Sequence, residues 1–220
     1  GIGTNHLRKI RTNSNFQIDL EVLKKQIEKD LTLGLRPFCI IGNAGTVNTG
    51  AIDDLEALAN LAEQYGLWFH VDGAYGGLAA ILEDLKPQYK GMERADSIAI
   101  DFHKWLYQRF EGGCTLVRSW DGLRRTYFKK AAYLDTELAN DGNRLEYNEH
   151  YFQLSRNAKA FKVWMSIKAY GMKRLRAMIQ KDIDLTDYLN VQVRESEDFE
   201  LVAESILAVS CFRYVGNMTS

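Results

Sequence analysis

Two apolar runs, each too short for a buried helix and each stopping on an acid, restrict this chain more than anything else in it. The first is Leu67-Trp68-Phe69-His70-Val71, which ends on Asp72 and Gly73. The second is Ser97-Ile98-Ala99-Ile100, bounded by Asp96 and Asp101. Runs of this length between polar stops read as strands. Asp72 and Lys104 are 104 − 72 = 32 residues apart, room for one crossover between neighbouring parallel strands. An earlier run, Pro37-Phe38-Cys39-Ile40-Ile41, is wholly apolar and reads as a strand buried on both faces.

Helical periodicity fills the gaps between these runs. Leu20, Leu23, Ile27 and Leu31 share one face of a helix that Asp19 caps, that runs to about Leu33 and that Gly34 closes. Leu55, Leu58, Leu61, Ala62 and Tyr65 share a face of the next helix, with Asp53 as its expected cap and Gly66 at its end. The order is βαβαβ, which predicts an α/β sheet with crossover helices. Leu7 to Ile10 is a short strand candidate, and Leu78 to Leu85 reads as a helix broken at Lys86-Pro87. Gly113 to Val117 reads as a returning strand. Residues 128–150 are polar and irregular, the kind of long loop that is functional or mobile. Leu154 to Tyr170 and Met172 to about Glu195 read as helices separated by Gly171. Phe199 to Ala203 and Ile206 to Val215 read as β segments. They divide the chain into a large domain over 1–195 and the start of a small α+β domain over 196–220.

Charge excludes some functions. The formal net charge is −1, with both signs mixed along the chain, so nothing electrostatic favours nucleic acid or an anionic membrane. No apolar run is long enough to span a bilayer as a helix. Cys39, Cys114 and Cys211 are far apart and odd in number, which predicts buried reduced thiols and a cytoplasmic setting. His6, His70, His103 and His150 are scattered, so no metal is expected. No GxGxxG or Walker loop follows a strand, which disfavours a nucleotide-binding module.

The strand exits carry the chemistry. Ligands of open α/β sheets bind at the carboxyl ends of strands. Lys104 follows one such end, and a lysine amine there can form a Schiff base with a carbonyl. Asp72 lies at the end of the neighbouring run. Pyridoxal phosphate needs this pair: a lysine for its aldehyde and a carboxylate that keeps its ring nitrogen protonated.

His70-Val71-Asp72-Gly73-Ala74-Tyr75-Gly76-Gly77, followed by Asp101-Phe102-His103-Lys104-Trp105-Leu106, resembles the group II pyridoxal-phosphate-dependent amino acid decarboxylases. The likeness is greatest to the aromatic-L-amino-acid decarboxylase type. Asn43-Ala44-Gly45-Thr46-Val47-Asn48-Thr49-Gly50-Ala51 resembles the family's glycine-threonine loop, and the likeness runs from Gly1 to about Gly216. It implies the type I, aspartate-aminotransferase-like α/β fold, pyridoxal 5'-phosphate as cofactor, and an internal piece of a longer protein. It also implies loss of the α-carboxyl group from an L-amino acid, aromatic by preference, giving an amine and carbon dioxide. The same resemblance implies a homodimer with active sites at the subunit interface.

The resemblance also gives the residues their roles. Lys104 would carry the cofactor, Asp72 would pair with its ring nitrogen, and Ala74 would pack on one face of the ring. Thr46 would hydrogen-bond near Asp72 or the ring hydroxyl, and His103 would lie near the phosphate. Tyr133 matches the tyrosine of the family's mobile loop, which protonates the substrate carbon after carbon dioxide leaves; a phenylalanine there would have pointed to aldehyde formation. Two positions depart from the pattern. Asp101 stands where the animal enzymes have an asparagine at the phosphate, and Phe102 stands where they have a proline. A carboxylate repels a phosphate dianion, so Asp101 is expected to act through its backbone N–H or to point elsewhere. The family's ring-stacking histidine has no counterpart among the four here. Glutamate decarboxylation, transamination, desulfuration and cofactor binding without turnover remain as alternatives.

Overall fold

The computed structural model describes residues 3–128 and 147–216. Its centre is a four-stranded sheet in sequence order: β1 (Cys39–Asn43), β2 (Trp68–Asp72), β3 (Ser97–Asp101) and β4 (Gly113–Val117). The first three strands are parallel and β4 returns antiparallel. Asn43 pairs with Asp72 and Asp72 with Ala99, so the three parallel strands leave the sheet at one edge, β3 running two residues further, to Asp101. The helix α1 (Leu20–Thr32) leads into β1, and α2 (Leu55–Tyr65) is the crossover from β1 to β2.

The helices form where their signals stand. The Asp19 carboxylate accepts from Val22 N, and Gly34 takes φ +75° just past the end of α1. Gly66 closes α2 in the left-handed region. Leu55 and Leu58 of α2 are buried against the sheet, and a Cβ on Gly42 would sit 2.6 Å from the Leu58 side chain. Glycine at 42 therefore sets how closely helix and strand approach. Phe69 and Val71 complete this face of the core.

Beyond β4 come α3 (Trp120–Tyr127) and α4 (Lys159–Glu195). Gly171 interrupts α4 with φ 73°, ψ 155°, as its place in the sequence predicts. β5 (Phe199–Ala203) and β6 (Cys211–Tyr214) form a separate antiparallel pair. The connection between them folds back, and Leu207, 1% exposed, enters the main core. Its side chain fills the space that a Cβ on Gly45 or Gly76 would need.

Several expectations are corrected. Leu7 to Ile10 forms no strand and pairs with none among the described residues; Arg8 instead anchors the segment to Asp30 at 2.9 Å. Asp54, not Asp53, caps α2 by accepting from Ala57 N. Asp53 is buried and accepts from Ile18 N and Asn43 N, both at 2.7 Å, tying the incoming chain to the end of β1. Residues 78–85 do not form an α-helix. Two 3₁₀ turns, Gly77–Ile81 and Lys86–Tyr89, let Ala79, Leu82 and Tyr89 all drop into the core. The helix expected from Leu154 starts at Lys159. β1 is not buried on both faces: Ile40 is 4% exposed and Ile41 50%, because α2 covers only the face of Ile40 and Gly42. The three cysteines are free but half-buried, and burial pushes the Cys39 and Cys114 thiols up.

Three substitutions test this account by urea denaturation. Asp53→Ala leaves two buried N–H groups without an acceptor and is expected to cost about 3 kcal/mol, against about 1 kcal/mol for Asp54→Ala, which loses only a cap. Gly45→Ala is expected to cost more than about 2 kcal/mol. Its φ is +93°, and the new Cβ would lie 2.7 Å from Gly76 Cα. Adding Leu207→Ala should not rescue it, since the Gly76 backbone still blocks the methyl group.

Candidate active site

Because β1, β2 and β3 run parallel, three exit turns share one edge of the sheet. They hold Thr46, the Asp72–Gly77 turn and the Asp101–Leu106 turn. Asp72 and Lys104 are thus brought to the exits of adjacent strands.

The Asp72 carboxylate is exposed at the end of β2, and Oδ1 accepts from Ala74 N at 3.0 Å. This local bond fixes the turn and places Ala74 beside the acid. Asp72 O accepts from Ala44 N, and Gly73 N donates to Ala99 O, so neighbouring strands hold both sides of the turn. A Cβ on Gly73 would lie 3.1 Å from Ala99 O and from Gly77 Cα, so the backbone there approaches its neighbours closely. Tyr75 then points inward: its hydroxyl donates to Ala208 O at 2.8 Å. Burial pushes the Tyr75 phenol up.

Lys104 lies three residues past β3, and its Nζ is 2.9 Å from Asp101 Oδ2. Both side chains are half-buried, 34% and 26% exposed. The same oxygen is 3.7 Å from His103 Nε2. His103 Nδ1 is buried without a hydrogen-bond partner, and its ring lies 4.3 Å from that of Phe110. Trp105 and Leu106, both buried, root the turn in the core. The Trp105 ring meets Tyr75 edge-on at 5.5 Å. This pair ties the Lys104 turn to the Asp72 turn, and sequence reading missed it. Each ring stands close to a site residue in the sequence, but no local pattern pairs the two. The following loop is held from α4: Lys162 Nζ donates to Arg109 O at 2.8 Å and to Glu111 O at 2.6 Å.

Thr46 stands in the first exit loop. Its hydroxyl bonds Thr49 Oγ1 at 2.8 Å and accepts from Ala51 N at 3.2 Å, closing its own loop rather than reaching Asp72. Tyr133 lies outside the described residues. A groove of about 990 Å³ runs along the free edge of β1, lined by Ile10, Leu23, Ile27, Ile40 and Thr46 among others. Lys104 and Asp72 do not line it.

The strand exits fit pyridoxal phosphate at its two reactive ends. They offer a primary amine, an exposed carboxylate on the next strand, and a small residue beside that carboxylate. The unpartnered His103 Nδ1 is a ring nitrogen free to bond a polar ligand. The Asp101 carboxylate, in contrast, fits an ammonium and not a phosphate.

Comparison with known proteins agrees. An aromatic-L-amino-acid decarboxylase of Bacillus atrophaeus is 36% identical over 215 residues, which is 98% of this chain and 45% of that protein. The structure of Oryza sativa TDC with PLP and tryptamine superposes with a TM-score of 0.92 at 28% identity, covering 97% of this chain and 44% of that one. Catharanthus roseus tryptophan decarboxylase in complex with L-tryptophan gives 0.89 at 28% identity, over 100% of this chain and 45% of that one. The chain thus spans less than half the length of these relatives. The pyridoxal-dependent decarboxylase conserved domain matches residues 2–215. With that match over nearly the whole chain, and with the type I α/β architecture of its structural neighbours, the chain belongs to the pyridoxal-dependent decarboxylase family.

Proposed function

We propose that this chain is the cofactor-anchoring part of an enzyme that removes the α-carboxyl group of an L-amino acid, aromatic by preference, giving the amine and carbon dioxide. One observation carries the reading. Lys104 and Asp72 emerge from adjacent parallel strands at one sheet edge, held to each other by the Tyr75–Trp105 contact. Bound pyridoxal phosphate supplies an electron sink for the bond that breaks.

The chain's own residues bind and orient. Lys104 holds the cofactor through its amine. Asp72, a carboxylate with free acceptor capacity, keeps the ring nitrogen protonated by a charge-assisted hydrogen bond. Ala74 supports one ring face without filling the space above it. His103 faces the phosphate end through its unpartnered nitrogen. Thr46 shapes the first exit loop through its bonds to Thr49 and Ala51. Tyr133 is the proposed acid that returns a proton to the substrate carbon, a role carried by the family resemblance. That resemblance also carries the homodimer, and three free thiols support a cytoplasmic setting. The division into a large domain over 1–195 and the start of a small one over 196–220 is supported by the separate β5–β6 pair. The aromatic preference is supported by the relatives named above, which are aromatic and tryptophan decarboxylases.

Borohydride reduction with added pyridoxal phosphate, followed by peptide mass mapping, tests the anchor. It is run on this chain and on a version extended at both ends. A pyridoxyl mass confined to the Lys104 peptide is expected, and Lys104→Ala should abolish it. An unlabelled extended chain overturns the proposal. Carbon dioxide release from tryptophan, tyrosine, dopa and glutamate then ranks the substrates. The aromatic acids are expected to lead, and a lead for glutamate overturns the aromatic preference.

A further inference from the structure

Asp101 is one of the two positions where this chain departs from the pattern of the family's animal enzymes, and the structure gives that departure a partner. Asp101 closes β3 and pairs across the sheet with Gly113. A Cβ on Gly113 would lie 3.4 Å from Asp101 Oδ1, so glycine there leaves room for the carboxylate. The other oxygen, Oδ2, faces Lys104 Nζ at 2.9 Å and His103 Nε2 at 3.7 Å. The turn enforces the approach: Lys104 N donates to Asp101 O at 3.3 Å, and buried Trp105 fixes the direction in which the chain leaves. An asparagine in this place would keep the shape and lose the charge.

We propose that Asp101 is a positioning residue for Lys104, holding its amine in a half-buried ion pair until an aldehyde reaches it. The pair occupies the amine and keeps the side chain from wandering over the sheet edge. An amine held in this way meets the cofactor from one fixed direction. The proposal concerns the amine before any aldehyde binds. Its functional meaning rests on the anchoring role given to Lys104 above; the pair itself does not.

The test is trace acetylation of the ligand-free chain with acetic anhydride, read lysine by lysine by mass spectrometry. Lys162 is the internal reference, because its two carbonyl partners on the Arg109–Glu111 loop are not altered. In Asp101→Asn, Lys104 is expected to react about three-fold faster relative to Lys162, the size of effect open to a partly exposed ion pair. Asp101→Glu, which restores the charge, is expected to return the ratio towards that of the unaltered chain. An unchanged ratio in a folded Asp101→Asn chain overturns the proposal. Should that variant fail to fold, the unaltered chain decides. Salt at about 1 M, where the Debye length is about 3 Å, should raise the Lys104 ratio selectively, and no rise overturns the proposal. Neither arm uses pyridoxal phosphate, so failure of the ion pair and failure of the borohydride test are separate results.

Discussion

Parallel pairing in register is the constraint on which the rest of this structure depends. Asn43, Asp72 and Ala99 lie side by side across β1, β2 and β3. Each chain must therefore leave the sheet at the same edge. A shift of one residue in β2 would turn Asp72 to the opposite face and bring Phe69 and Val71 out of the core. Phe69 and Val71 are 2% and 0% exposed, so the apolar packing that stabilises the sheet also fixes where the acid stands. Core and site are set by one register.

A second dependence runs from the far end of the chain. The connection after β5 returns to the first two exit turns, with Leu207 in the core and Tyr75 donating to Ala208 O. Gly45 and Gly76 approach each other so closely there that a Cβ on Gly76 would lie 2.8 Å from Gly45 Cα and 2.7 Å from the Leu207 side chain. Gly50 meets Ser205 in the same region. The loop that carries Thr46 and the turn that begins at Asp72 are thus clamped by residues more than a hundred positions away. Movement of that connection would loosen two exit turns together, which links the stability of the C-terminal segment to the order of the site.

Much of this was legible in the sequence, and the failures share a cause. The strands β2 and β3 could be read because charged residues stop them, and α1 and α2 because their apolar faces repeat at helical spacing. Asp72 and Lys104 could be placed because strand exits in parallel sheets share an edge. Asp53 and Asp54 could not be told apart, since both stand before the same helix. What separates them is a long-range fact, the need of Asn43 N and Ile18 N for a buried acceptor. The stretch 78–85 has good helix formers, yet it folds as a 3₁₀ turn that buries Ala79 and Leu82, and a second turn past it, containing Pro87, buries Tyr89. Leu7 to Ile10 has strand composition and no strand beside it. The Tyr75–Trp105 contact spans 30 residues and follows from no local pattern. Local signals were read correctly where nothing distant competed with them.

The charges at the strand exits carry the argument one step further. Residues 43–50, 72–77 and 101–106 contain two acids, Asp72 and Asp101, and one Lys or Arg, Lys104. With histidine neutral, these turns sum to −1. Two unit charges about 4 Å apart interact by about 4 kcal/mol at an effective dielectric near 20, so a phosphate dianion gains nothing from approaching Asp101. Lys104 cannot compensate, because its amine is both the proposed cofactor anchor and the partner of Asp101. A phosphate held at these exits would therefore lie away from Asp101, whose carboxylate would repel a dianion and instead pairs with the Lys104 amine in the ligand-free chain.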